Sequence, residues 1–284
     1  MCRLFAQVSP QSASAVDALA GSKFSLLSQA DGDPANPQQD GWGLAWFGPD
    51  GFPLVTKSGR PAPEEKEQFK AAAAKACSPV VLGHIRAASK GIGIDKPRAH
   101  PFSDEGWVFT HNGSLFIHQE VAAALGSRRE RLKTDSDSEI YFQQFMKFRA
   151  SGLEPSTAFE ACIAENWRLW ESCRSRYPEH SAPYSSLNAI ASDGHGIHAL
   201  CHAAQRGLAG YGIFHPDQPW SVMCYAIRGG RLMLASEGVD EGEWTRLSPP
   251  ETISAVPAET GIDIRRRPLS LVSSFGPVPE VSQS

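Results

Sequence analysis

Strand-like and helix-like segments come in blocks along this chain, and that ordering limits its folds more than any other feature. Residues 2–8, 42–47, 52–57, 79–86 and 106–111 read as strands, with Gly48-Pro49-Asp50-Gly51 turning one pair. A helical block follows at 115–125, 137–150 and 155–174. Period two returns at 186–192, 196–203, 220–228 and 231–236, joined in pairs at Asp193-Gly194 and Gly229-Gly230. Further helical signals lie at 12–30, which is Ala/Ser/Leu-rich and weak, and at 64–76, behind Pro63. Strands, then helices, then strands predict an α+β or layered α/β chain whose helices pack outside sheets. No linker divides it. Residues 2–267 read as one domain, and 268–284, rich in Pro and Ser, as a loosely ordered tail.

Composition narrows the function classes. With 41% hydrophobic and 20% charged residues among 284, the chain can build a sizeable core. A formal charge of −4 is no footprint for nucleic acid, and no apolar run reaches the roughly 18 residues of a membrane span. Polar residues interrupt Met1-Cys2-Arg3-Leu4-Phe5-Ala6-Gln7 before a secretory h-region forms, so a cytoplasmic protein is expected. Cys2, Cys77, Cys162, Cys173, Cys201 and Cys224 contain no C-x-x-C pair and read as free thiols.

Cys2 stands apart by position. A small residue after Met1 permits removal of the methionine, leaving a thiol and a free α-amine on one residue. Their reference pKa values, about 8.5 and about 7.7–8.0, let the amine take the thiol's proton near neutrality. Three further segments carry polar groups at strand or helix ends. His84-Ile85-Arg86 closes the strongest strand, and His111-Asn112-Gly113 closes another. Ser136-Asp137-Ser138-Glu139 opens a helix, where Ser136 or Asp137 is a candidate N-cap and Glu139 a capping-box partner. Each also has a bland reading, as a salt-bridge partner, a turn or a cap.

Taken together and in order, Cys2, Asp40-Gly41-Trp42-Gly43-Leu44, His84-Ile85-Arg86, His111-Asn112-Gly113 and Ser136-Asp137-Ser138-Glu139 resemble the class II glutamine amidotransferases, a branch of the N-terminal nucleophile hydrolases. The resemblance implies a four-layer αββα sandwich. It implies hydrolysis of a γ-glutamyl amide through a thioester on Cys2, with the Cys2 amine as base. Asn112 and Gly113 would form the oxyanion hole, Arg86 would hold the substrate α-carboxylate and Asp137 its α-ammonium. Gly41, Trp42 and Ser89 match pocket-lining segments. No metal or other cofactor is implied. Ala87 and Lys90 depart from the synthase-fused members, which carry an aromatic residue and a histidine there. No synthase module follows, so an ammonia acceptor would be a separate synthase chain. Some stand-alone members resemble the γ-glutamyl hydrolase of ergothioneine biosynthesis, and His100-Pro101-Phe102 resembles uncharacterised stand-alone bacterial members. A glutaminase subunit feeding another chain, and a non-catalytic binding or regulatory subunit, are the alternatives.

Competing motifs are weaker. His195, His198, Cys201 and His202 form the densest ligand cluster, but a strand sends His198 and His202 to one face and Cys201 to the other. Gly41-x-Gly43 begins a strand rather than a helix, so it makes no phosphate loop. The basic runs Arg128-Arg129, Arg131, Lys133 and Arg265-Arg266-Arg267 read as solvated surface, with partner docking or anion attraction the alternative.

Overall fold

The computed structural model describes residues 2–32, 38–87, 93–204, 212–215 and 217–270. Ser89, Lys90 and residues 271–284 of the expected tail lie outside them.

Two antiparallel sheets form the centre. Sheet A contains β1 (Arg3–Ser14), β2 (Trp42–Phe47), β3 (Pro53–Ser58), β4 (Cys77–Ile85), β9 (Cys224–Arg228), β10 (Arg231–Ala235) and β11 (Thr245–Arg246), in the order β11-β9-β10-β1-β4-β2-β3. Sheet B contains β5 (Phe102–Asp104), β6 (Trp107–Asn112), β7 (Asn188–Ser192), β8 (Ile197–Cys201), β12 (Glu251–Ala258) and β13 (Gly261–Pro268), in the order β13-β12-β8-β7-β6-β5. Outside sheet A lie α1 (Leu26–Asp31) and α2 (Lys66–Lys75). Outside sheet B lie α3 (His118–Ala123), α4 (Asp137–Ala150) and α5 (Pro155–Cys173).

Alternation along the strands produces three separate cores and hence four layers. Leu4, Ala6 and Val8 of β1 meet Leu82 of β4, Val108 of β6 and Ile190 of β7 between the sheets. Their neighbours Phe5, Leu44 and Ile85 face outward onto Leu19, Leu26 and Phe69. Phe109 turns the other way and packs on Tyr141, Phe142, Phe145 and Phe159 of the outer helices, with ring centroids 5.1–6.5 Å apart. This is the expected α+β, four-layer αββα sandwich. Among the described residues no helix is long and apolar enough to cross a membrane.

Three local expectations change. The predicted helix over 12–30 shrinks to a π-turn at Asp17–Gly21 and to α1, which Ser25 caps by accepting from the Ser28 N–H. Residues 9–14 extend β1 instead, because after a register shift Ala13 and Ser14 pair with Ser78 and Cys77. The β12–β13 hairpin has no sequence forecast: Pro257 weakens the strand signal, and three arginines occupy the edge strand. Finally, α4 begins at Asp137 as expected, but Ser136 makes no side-chain cap bond. Glu139 reaches past it to the Lys133 and Thr134 N–H groups.

The ambiguous clusters also resolve. Arg128 and Arg131 clasp Asp104 and Glu105 at the β5–β6 turn, and Arg266 pairs with Glu251. His198 bonds Ser254, Cys201 enters the inter-sheet core and His202 bonds the Tyr184 hydroxyl.

Candidate active site

The same alternation that buries Leu4 and Leu82 between the sheets sends Cys2 and Arg86 into that space at one end. Leu4 pairs with His84 and Arg3 with Ile85, so Cys2 stands beside Arg86 across adjacent strand ends. Gly41 flanks Arg86 from β2: its carbonyl accepts the Arg86 N–H at 2.8 Å, and Asp40 N–H donates to Arg86 O at 3.1 Å. At Gly41 φ is +123°, and a Cβ would meet Ser58 O at 2.7 Å, so the turn requires glycine.

Sheet B supplies the opposite wall. Val108 faces inward, and so does Asn112 four residues later. The His84 ring bridges the two sheets, with Nε2 3.2 Å from His111 O. That oxygen accepts only, so Nε2 carries the proton. Asn112 is 2% exposed, and among the described residues its side-chain Nδ2 has no hydrogen-bond partner. Beyond it Gly113 passes so close to the chain that a Cβ would lie 2.0 Å from Ser186 O.

A chain of hydrogen bonds fixes the Asn112–Gly113 segment to α4. His111 Nε2–H donates to Ser186 O at 3.1 Å, leaving Nδ1 to accept from Ser138 Oγ at 2.9 Å. Ser138 N–H donates to Asp137 Oδ1 at 2.8 Å, and Leu115 N–H to Asp137 Oδ2 at 2.9 Å. Asp137 is thereby aimed by both ends of the segment that follows β6.

Burial governs the charges. It pushes the Cys2 thiol up, opposed by the chain's N-terminal charge, the Ala87 N–H and the Arg86 guanidinium. The thiol's close contacts are Ala87 O and N, both at 3.4 Å. A thiol held protonated needs a base to become a nucleophile. Burial likewise lowers His84 to about 3, takes His100 well down and lowers His111. These rings are therefore neutral at pH 7 and serve as hydrogen-bonding and packing groups. His100 stacks on His84 at 4.1 Å between centroids.

Arg86 carries a charge that no described carboxylate neutralises. Its guanidinium is buried, yet among the described residues it meets only the carbonyls of Asp40 (3.5 Å) and Gly93 (3.1 Å). A buried guanidinium satisfied by two carbonyls retains donors for an anion.

Of the residues singled out from sequence, Cys2, Arg86, Gly41, Asn112, Gly113 and Asp137 gather at this end. Trp42 comes to the same end with its backbone only. Its indole turns outward, donates to Glu65 Oε2 at 2.9 Å and packs on Phe69 of α2. Ser89 lies outside the described residues. Sequence reasoning missed the linking role of Ser138, although the S-D-S-E motif contains it. It also missed Glu237, which is buried, accepts the N–H groups of Ile213, Phe214 and His215, and pairs with Arg3 beside the nucleophile. Glu237 stands two residues beyond the end of β10, where the strand pattern stops.

In sequence and in fold this chain is similar to known proteins to differing extents. The family described as glutamine amidotransferases class-II matches residues 1–209. A gamma-glutamyl-hercynylcysteine sulfoxide hydrolase of Mycolicibacterium smegmatis is 34% identical over 155 residues, 55% of this chain and 57% of that protein. A glutamine–fructose-6-phosphate aminotransferase (isomerizing) of Sulfurisphaera tokodaii is 31% identical over 86 residues, 30% of this chain and 14% of that protein. The matched stretch thus spans less than two thirds of either relative. In fold, a glutamine aminotransferase class-II domain protein from Silicibacter pomeroyi superposes with a TM-score of 0.63 at 20% identity, covering 94% of this chain and 100% of its own. The chain belongs to the class-II glutamine amidotransferases.

Proposed function

We propose that this protein hydrolyses a γ-glutamyl amide through a γ-glutamyl thioester on Cys2, with Met1 removed beforehand. The observation that carries the reading is the buried Arg86 guanidinium, without a carboxylate partner among the described residues, beside the Cys2 thiol and across from Asp137. An amino-acid head needs that pair of opposite charges. Its α-carboxylate meets Arg86 and its α-ammonium meets Asp137, which turns the γ-carbonyl toward the thiol.

The Cys2 amine takes the thiol proton, and the sulfur attacks the γ-carbon. The carbonyl oxygen gains negative charge where the Asn112 Nδ2, unpartnered among the described residues, and the Gly113 N–H can donate. The C–N bond breaks as the amine returns the proton to the departing nitrogen. Water then attacks the thioester, with the same amine as base, and releases glutamate. The likeness to a γ-glutamyl hydrolase supports a γ-glutamyl conjugate as substrate, with L-glutamine the simplest member of the class.

The test is glutamate release by Met1-processed protein from L-glutamine and a panel of γ-glutamyl amides. Turnover that disappears in Cys2→Ala is expected. Unchanged turnover in Cys2→Ala overturns the mechanism, and full activity with an uncleaved N-terminal extension removes the amine from it. Ammonia captured by an added synthase chain, with little release in its absence, would favour a glutaminase subunit.

A further inference from the structure

The Arg86 side and the Asp137 side belong to different sheets, and one surface side chain ties them together. After β4 the chain returns through Gly93–Pro101. Gly93 O accepts from Arg86 Nη1 at 3.1 Å. The Arg98 guanidinium lies against Gly93, where a Cβ would come within 3.3–3.4 Å of its Nη1, Cζ and Nε atoms. From there Arg98 Nε and Nη2 both donate to Asp135 Oδ1, at 2.9 and 2.7 Å, while Nη1 holds Asp95. Asp135 lies two residues before Asp137, in the turn that Glu139 gathers through the Lys133 and Thr134 N–H groups. At the base of the loop the Lys57 ammonium donates to the carbonyls of Pro97, Ala99 and Pro101.

We infer that Arg98 and Asp135 are positioning residues that set the spacing between Arg86 and Asp137, and so the enzyme's grip on the α-amino-acid head of its substrate. The inference rests on the head-group reading proposed above. Neither side chain serves a core: the Asp135 side chain is 82% exposed and that of Arg98 24%. Their bond instead joins the loop that touches the Arg86 guanidinium to the turn that presents Asp137. The latch touches no reacting atom, so it governs binding of the head rather than attack on the γ-carbon.

The test compares Arg98→Met, Asp135→Asn and the double variant. KM for the γ-glutamyl substrate should rise about three- to five-fold in each, the scale of a partly exposed ion pair, with kcat little changed. The double variant should be no worse than either single one. Arg98→Lys should recover part of the affinity, and added salt should raise KM in the wild type but not in Arg98→Met. Labelling of Cys2 separates head recognition from general damage. A γ-electrophilic glutamine analogue should inactivate the variants more slowly than the wild type, whereas iodoacetamide, which has no amino-acid head, should react at the same rate. Unchanged KM in both single variants, or equal slowing of both reagents, overturns the latch. A wild type whose Cys2 the analogue never labels overturns the head-group reading, and the latch with it.

Discussion

On the sheet B side of the candidate site, Asn112 and Gly113 are held from several directions: Ser186 O crowds Gly113, His111 joins Ser186 to Ser138, and Asp137 receives the Leu115 and Ser138 N–H groups. On the sheet A side Arg86 rests on two carbonyls, one of them in a loop fastened by an exposed ion pair. The difference matches the two tasks that the proposed γ-glutamyl hydrolysis would set. Oxyanion donors must be placed before charge develops, since reorganising them costs rate. A guanidinium that receives an incoming carboxylate gains its anionic partner only on binding, so tight bracing beforehand would compete with the ligand.

The strongest way to break this contrast is Gly113→Ala. A methyl group 2.0 Å from Ser186 O forces the backbone apart, at a cost of about 1–3 kcal/mol or more in stability. Turnover should fall at least as far as loss of one oxyanion donor predicts. A variant that melts like the wild type and turns over normally would show that this wall yields. Asn112→Ala should come next, lowering kcat by about 10²–10³-fold. Because Nδ2 has no partner to lose among the described residues, its thermal midpoint should stay close to wild type, and a large drop would give Asn112 a structural role instead.

Arg86→Lys probes the other wall. The lysine keeps the charge but loses the planar fork, so KM should rise by roughly ten- to a hundred-fold with a smaller change in kcat. An equal fall in kcat and kcat/KM would move Arg86 from substrate binding to the transition state. The last test is acid. Burial lowers His84 to about 3, while the unfolded chain takes up a proton near 6.5. Between those values the unfolded state binds the extra proton, so stability falls as pH drops, by about 1.4 kcal/mol per pH unit for each such histidine. His100 and His111 shift in the same direction. Denaturant midpoints measured from pH 7 to 5 should decline steeply, and less so in His100→Leu. A flat profile would mean that these rings take up protons in the folded protein.

Much of this was legible along the chain. Asp137 opens α4 at the expected residue because small polar residues stand immediately before an apolar helical pattern. Arg86 follows the last residue of β4 and Asn112 closes β6, where each apolar run stops. The β12–β13 hairpin was not legible, since an edge strand rich in arginine with a proline in its partner lacks the usual β signature. Trp42 illustrates a subtler failure. Its motif matched a pocket segment, but its parity on β2 places the indole in the outer core, beside Phe69.

Local pattern therefore determined which residues terminate strands and which face each one takes, because alternation acts over neighbouring residues and needs no distant partner. The chain's own order also announced the chemistry at those termini: a thiol, a guanidinium, an amide and a carboxylate. Tertiary structure alone decided that these termini share one end of the sandwich, joined through His84 to His111 O and through Ser138 to Asp137. It alone made Gly113 obligatory, because Ser186 reaches it from the far side of the helical block. Contacts of that range depend on how two sheets pack face to face, and packing is set by the fit of whole layers rather than by any single segment.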